Sequence, residues 1–243
     1  MAQGSGSEVK RSEDAGAMPL GWGLAAALAA IPAERSVPYA RVFAHGSLAL
    51  EAYAPRGRDL QGPHRQDELY IVMRGRGDFV NGARRHGFVP GDALFVPAGV
   101  EHRFESFTAD LAVWVIFWGP EGGEAAAPHP APTGELRWGL ARGLARIPAA
   151  ASLRSIPLFE HGSMTLKLYN PRGHDPQSPH TRDEVYVIQE GAGNFVCDGR
   201  RRSFEPGDAL FAPAGAAHRF EDFGEALTTW VVFYGPEGGE RPA

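Results

Sequence analysis

The chain repeats itself. Residues 20–124 align with residues 136–240 without a gap, and more than half of the aligned positions are identical. Trp22 recurs as Trp138, His64 as His180, His102 as His218 and Gly119 as Gly235. Both copies close on GPEGGE. Two copies are too few for a solenoid, which needs three or more units. They predict two equivalent domains, 20–124 and 136–240, with the geometry of a dimer fused into one chain. The Ala/Pro stretch AAAPHPAPTGE reads as an extended linker over 125–135, with His129 solvated in it. Residues 1–19 are mostly small, polar and charged and read as a disordered tail.

Within each copy the pattern is β. SLALEAYAP alternates and stops at proline; ELYIVMRG and EVYVIQEG are strand-like and stop at glycine. GDFVNGARR carries an Asn-Gly turn between strand-like flanks, and LAVWVIFWGP is a strong apolar strand. Many short strands with Gly/Pro punctuation predict an all-β fold, and an eight-stranded jelly-roll barrel per half fits their number. The helix candidates are confined to WGLAAALAAIP and its partner segment.

The composition excludes several classes. A net charge of −5 without a long run of one sign argues against nucleic acid or an anionic membrane as partner. MPLGWGLAAALAAIPA is too short and glycine-interrupted to span a bilayer. It also recurs inside the chain as LRWGLARGLARIPA, which assigns it to the domain rather than to a targeting signal. A single cysteine, Cys197, rules out an intrachain disulfide and fits a reducing, cytoplasmic location. Arg84, Arg85 and Arg200 to Arg202 are expected to be solvated hairpin tips.

The chemistry concentrates in GPHRQDELYIVMRGRG (62–77), its near copy SPHTRDEVYVIQEGAG (178–193), and the turns PAGVEH and PAGAAH. These offer His64, Glu68 and His102 in one half, and His180, Glu184 and His218 in the other. Alternate residues of a strand share a face, so histidine and glutamate four apart can converge. Two imidazoles and one carboxylate suit a divalent transition metal, and three protein ligands leave positions open. Tyr70 and Tyr186, two residues past the glutamates, are the proton-transfer candidates or else satisfied core tyrosines. Gln66 and Arg182 stand between histidine and glutamate as candidate substrate-binding residues. An inward Arg182 would grip a carboxylate or repel a nearby cation; an outward one is solvated. Trp114, Trp230, Phe117 and Phe233 are expected in a core or interface. His45 and His161 are expected in turns, and Arg56 and Arg172 are expected to brace a loop, with Asp59 and Asp175 as partners.

These residues resemble the cupins, and specifically a bicupin. The PH…E…G segments match the latter part of that family's first motif, and PGDALF followed by PAGVEH or PAGAAH matches the second. The resemblance covers nearly the whole chain after residue 20 and implies two tandem double-stranded β-helix barrels, each with a central metal. It also exposes a departure. The family's first histidine falls at Gly62 and Ser178, so four ligands become three, and Gln61 and Gln177 just upstream are candidates to supply an amide oxygen. The resemblance implies a metal-dependent enzyme using Fe(II), Mn(II) or Zn(II) on a small organic molecule, with an oxygenase-type reaction favoured. An isomerase, lyase or decarboxylase, and a non-catalytic binding or storage barrel, remain open. Association of barrels through their strands leaves room for a homodimer.

Overall fold

The computed structural model describes residues 18–34, 36–124 and 136–241. The expected tail up to residue 17 and the expected linker with His129 lie outside the described residues. The first half runs β1 (Gly21–Trp22), α1 (Leu24–Ala29), β2 (Tyr39–His45), β3 (Leu48–Tyr53), β4 (Asp67–Arg74), β5 (Gly77–Asn81), β6 (Arg84–Phe88), β7 (Ala93–Val96), β8 (His102–Glu105) and β9 (Ala112–Trp118). The second half repeats this order: β10 (Arg137–Trp138), α2 (Leu140–Leu144), β11 (Ser155–His161), β12 (Met164–Tyr169), β13 (Asp183–Glu190), β14 (Gly193–Cys197), β15 (Arg200–Phe204), β16 (Ala209–Ala212), β17 (His218–Glu221) and β18 (Thr228–Tyr234). Each half is a jelly roll whose large sheet packs over a three-stranded one, β6-β5-β8 or β15-β14-β17. The tight hairpin ending β14 places Asp198 and Gly199 both at positive φ, 46° and 76°, which matches the twist of its strands.

The large sheets are not assembled from one copy alone. Their orders are β10-β7-β4-β9-β3-β2 and β1-β16-β13-β18-β12-β11. Trp22 of β1 pairs with Ala209 in the second half, and Trp138 of β10 pairs with Ala93 in the first. Each copy therefore lends its opening strand to the other's sheet. The expected tail is also shorter than 1–19: Met18 accepts a hydrogen bond from Arg200 at 2.6 Å, and Leu20 is buried in the second half's core. The sequence repeat and the structural units have different borders.

This exchange explains the unbroken apolar runs of β4, β9, β13 and β18. In a half-exposed sheet such strands would alternate, but here both faces are covered. Tyr70, Val72, Val113 and Val115 face their own barrel's interior. Leu69, Ile71, Trp114 and Ile116 face a shared core with Val185, Val187, Trp230 and Val232 of the other half. Trp114 donates its indole N–H to Gly207 at 2.8 Å, and Trp230 donates to Gly91 at 2.9 Å. The tryptophans are interface residues.

The two HGS segments correct an expectation. His45 and His161 close strands β2 and β11 and reach across the interface. His45 Nδ1 lies 2.9 Å from the Tyr234 hydroxyl, and His161 Nε2 lies 3.2 Å from Asp67 Oδ2. The following turns are capped by the other copy's last glutamate: Glu124 accepts from Ser163 N at 2.6 Å, and Glu240 accepts from Ser47 Oγ at 2.5 Å. A Cβ on Gly46 or Gly162 would collide with these carboxylates, and both glycines hold a positive φ. Cys197 is a buried packing residue whose thiol is pushed up to about 11, first by burial. At the hairpin tips Arg85 and Arg201 pair with Glu105 and Glu221. Among the described residues no helix is long and apolar enough to cross a membrane.

Candidate metal centres

Glu68 sits second on β4, with its side chain on the face that carries Tyr70 and Val72 into the barrel. His102 opens β8 after the PAG turn, opposite Asn81 of β5. His64 lies in the loop before β4, where its carbonyl accepts the N–H of Gly99 at 2.8 Å and ties that loop to the PAG turn. The result is one cluster per barrel: His64, Glu68 and His102, and His180, Glu184 and His218, each with its ligand atoms within 4.8 Å of one another. Both glutamates and both β-strand histidines are buried, while His64 and His180 are half-buried at the cavity edge.

The polarity of each cluster follows from its hydrogen bonds. Nδ1 of His64 lies 2.6 Å from Gln66 O, and Nδ1 of His102 lies 2.8 Å from Val100 O. A carbonyl only accepts, so Nδ1 carries the hydrogen and Nε2 presents a lone pair. Asp59 accepts from the Phe104 and Gln61 backbone N–H groups and from Gln61 Nε2 at 2.8 Å, which turns the Gln61 amide oxygen towards Tyr70. The Tyr70 hydroxyl then spends its one hydrogen on that oxygen at 2.8 Å. His102 Nε2 is left facing the Tyr70 oxygen at 3.0 Å and Glu68 Oε2 at 3.3 Å, both acceptors. His64 Nε2 and Glu68 Oε2 approach each other closely, and neither has a hydrogen-bond partner. In the second barrel Tyr186 donates to Gln177 at 2.8 Å, His218 Nε2 lies 3.2 Å from Glu184 Oε2, and Glu184 Oε2 is again orphaned. Lone pairs converging in a buried pocket call for a cation, and a divalent metal fits this donor set.

The titrations follow the same geometry. Burial alone would raise Glu68, but the adjacent His102 and His64 imidazoles outweigh it and hold the carboxyl below its ordinary value. Burial alone would lower His102 and His218, but Glu68 and Glu184 raise them. His180 is lowered, first by burial, with His218, Lys167 and Arg182 adding to the effect.

Several sequence expectations need correction. Tyr70 and Tyr186 lie fully inside the barrels, beneath the His/Glu clusters, and neither lines its cavity, where a proton-transfer group for a substrate was expected. Burial, then the adjacent glutamate, drives both phenols well above their ordinary value. Gln61 and Gln177 border the cavities, but their amides are committed at both ends, to aspartate and to tyrosine, so they orient the cluster rather than complete it. Gln66 gives its amide hydrogens to Ser47 O at 3.1 Å and Gly119 O at 2.7 Å and is a loop brace, not a substrate contact. Arg182 does line a cavity, with two nitrogens held by Ser163 O and Thr165 Oγ1. Asp59 and Asp175 serve Gln61 and Gln177 rather than Arg56 and Arg172. Phe117 and Phe233 are cavity walls, with ring centres 5.1 Å and 4.9 Å from His64 and His180.

Each cluster opens on a cavity, of about 320 Å³ in the first half and about 360 Å³ in the second. Residues that the sequence reading passed over complete them: Tyr39, Arg41 and Glu51 in the first, Ser155 and Lys167 in the second. Asp67 and Asp183 were also missed. Asp67 receives the Ala98 and Glu124 N–H groups at 2.9 and 2.7 Å, and Asp183 does the same for Ala214 and Glu240. Each thereby fastens the PAG turn to the strand that bears the cluster's glutamate.

The family model for the cupin domain matches residues 49–118 and again 166–234, which together make up more than half of the chain. The chain belongs to the cupins. It is a tandem cupin, with one barrel in each match. An uncharacterized protein of Streptomyces coelicolor is 40% identical over 75 residues, covering 31% of this cupin and 71% of that protein. Salicylate 1,2-dioxygenase from Pseudoaminobacter salicylatoxidans, solved with gentisate, superposes with a TM-score of 0.70 at 14% identity, over 90% of this chain and 81% of that one. Lactobacillus farciminis oxalate decarboxylase, solved as a formate complex, gives 0.66 at 13% identity, over 90% and 87%. At such identities the likeness is one of fold.

Proposed function

We propose that this cupin is a metal-dependent enzyme acting on a small organic molecule, with an oxygenase-type reaction at its two-histidine, one-glutamate centres. The observation that carries the reading is the convergence of orphaned lone pairs on His64, Glu68 and Glu184 at the floor of cavities open to solvent. His64, Glu68 and His102 would hold one ion, and His180, Glu184 and His218 a second. An ion held there by three protein groups keeps open positions; Fe(II) or Mn(II) would supply O₂ chemistry and Zn(II) Lewis acidity.

The chain's own residues have separate tasks. The carbonyls of Gln66, Val100 and Ala216 fix imidazole tautomers, as partners of ligating histidines generally do. Phe117 and Phe233 give each cavity an apolar wall that displaces water and supports a small substrate. The fold relatives support this scale of substrate, since one was solved with gentisate and another with formate. The test is anaerobic loading with Fe(II), metal analysis per chain, and O₂ uptake with a panel of small aromatic and aliphatic acids. Uptake coupled to substrate loss supports the proposal. Conversion without O₂ would move it to lyase, isomerase or decarboxylase chemistry, and failure to bind metal would overturn it.

A further inference from the structure

The two cavities are built from the same fold and nearly the same clusters, yet one strand pair gives them different charges. In the first half Arg41 of β2 faces Glu51 of β3 in register, and Arg41 Nε lies 2.9 Å from Glu51 Oε1. Both line the cavity. In the second half the same register pairs Pro157 with Lys167. The carboxylate has become an ammonium, and the arginine that would have answered a carboxylate has become a proline without charge. Lys167 lines the second cavity, and its Nζ stands 4.4 Å over the ring centre of Phe233. Among the described residues no carboxylate lies within ion-pair distance of it. Arg182, where the first half has the neutral Gln66, lines the same cavity. Beyond the shared histidines and glutamate, the charged lining of the first cavity cancels, whereas that of the second is two cations.

Glu184 and Glu160 act on Lys167, and Glu160 and Glu237 on Arg182, but none forms an ion pair with them. Half-buried cations left unpaired in this way favour an anion that joins them. A ring wall beside them adds a face on which an organic group can lie. We infer that the second-half cavity is the substrate site and takes a small organic carboxylate, held by Lys167 with Arg182 beside it and packed on Phe233. The first cavity, with Glu51 in its wall, does not take that anion. The inference rests on the reading of the second cluster as a reaction centre, and it names the substrate class for that centre.

The experiment uses the full chain, metal-free and Zn(II)-loaded, with benzoate as probe, benzamide as its neutral counterpart and inorganic phosphate as a second anion. Calorimetry should find one benzoate per chain, with benzamide and phosphate markedly weaker. Lys167→Met should weaken benzoate by about tenfold or more, as loss of a partly desolvated charge contact does. Arg182→Gln, which installs the first-half residue, should weaken it in the same direction, and Glu51→Gln should change little. Circular dichroism and the metal content of each variant separate misfolding and metal loss from loss of the anion site. No benzoate binding by the wild type, equal binding by folded Lys167→Met, or phosphate binding as tight as benzoate would each overturn the inference. Lys167-dependent benzoate binding by a protein that takes up no metal would instead overturn the metalloenzyme reading and leave the carboxylate site standing.

Discussion

The hydroxyl of Tyr70 donates to Oε1 of Gln61 at 2.8 Å, and that one bond sets the polarity of the first centre. Because the hydrogen is spent on Gln61, the Tyr70 oxygen shows only lone pairs to His102 Nε2 at 3.0 Å. A cation at the cluster, a metal ion or a proton on His102, is favoured. Tyr70→Phe should therefore weaken first-site metal affinity by about tenfold to a hundredfold, the usual effect of an altered partner behind a ligand. Chelator competition would read it, with the unaltered second site as the internal reference. A first-site affinity unchanged from wild type would show that the tyrosine acts only through packing.

Gly62 offers a direct test of the three-ligand geometry. It lines the first cavity with His64 and Glu68, and a Cβ built on it meets nothing within 4 Å. Its backbone is not in the left-handed region, so a larger side chain is allowed. Gly62→His should add a fourth ligand and tighten the first site by about an order of magnitude, as closure of an open site does. Turnover at the second site, where the substrate is inferred to bind, should stay the same while the metal content of the first site rises. Metal content read against rate, in the same preparation, checks both.

Much of this was written in the chain. The gapless repeat, the strand punctuation and the His-x-x-x-Glu spacing lead to two barrels and bring six side chains into two clusters. What the sequence concealed has physical reasons. The GW pair of β1 is too short to declare its sheet, and its apolar pattern suits either half equally, so the strand exchange left no trace. In LAVWVIFW both faces are apolar because both are buried, so nothing separated Phe117, which lines the cavity, from Trp114, which lines the interface. Lys167 and Glu51 did leave a signal. Each is a lone charge inside an apolar strand, at matched positions and of opposite sign, but a charge in a strand says which way it points only once the cavity is known.

Asp67 predicts a pH dependence of stability. Burial pushes its carboxyl up, but the bond from His161 and the backbone N–H groups of Glu124 and Ala98 outweigh it, so the folded value lies below the ordinary one. A group lowered in the folded state contributes stability above its unfolded pKa, and the contribution is lost as pH falls through the folded value. Asp67→Asn should therefore cost about 1–3 kcal/mol at neutral pH, the scale of a lost buried acceptor. The difference from wild type should close as the pH falls through the lowered folded value, below the ordinary carboxylate range, since the wild-type carboxyl is then protonated as well. Urea unfolding at several pH values gives the curve, and a constant difference down to acid pH would show that the charge is not what matters.

The exchanged strands and the paired tryptophans predict that the halves unfold together. Trp114 and Trp230 are fully buried, and each donates to a glycine carbonyl of the opposite half. Removing one indole empties part of a core that belongs to both barrels, so its cost cannot be confined to one. Trp114→Ala should destabilise the whole chain by about 3–5 kcal/mol. Trp114→Phe, which keeps a ring but loses the bond to Gly207, should cost less, though its unmade bond alone accounts for about 1 kcal/mol. In both variants circular dichroism and tryptophan fluorescence should trace one coincident transition, as they do for a single cooperative unit. Two separated transitions, with the second barrel intact after the first has melted, would mean that the shared core is a contact between independent domains.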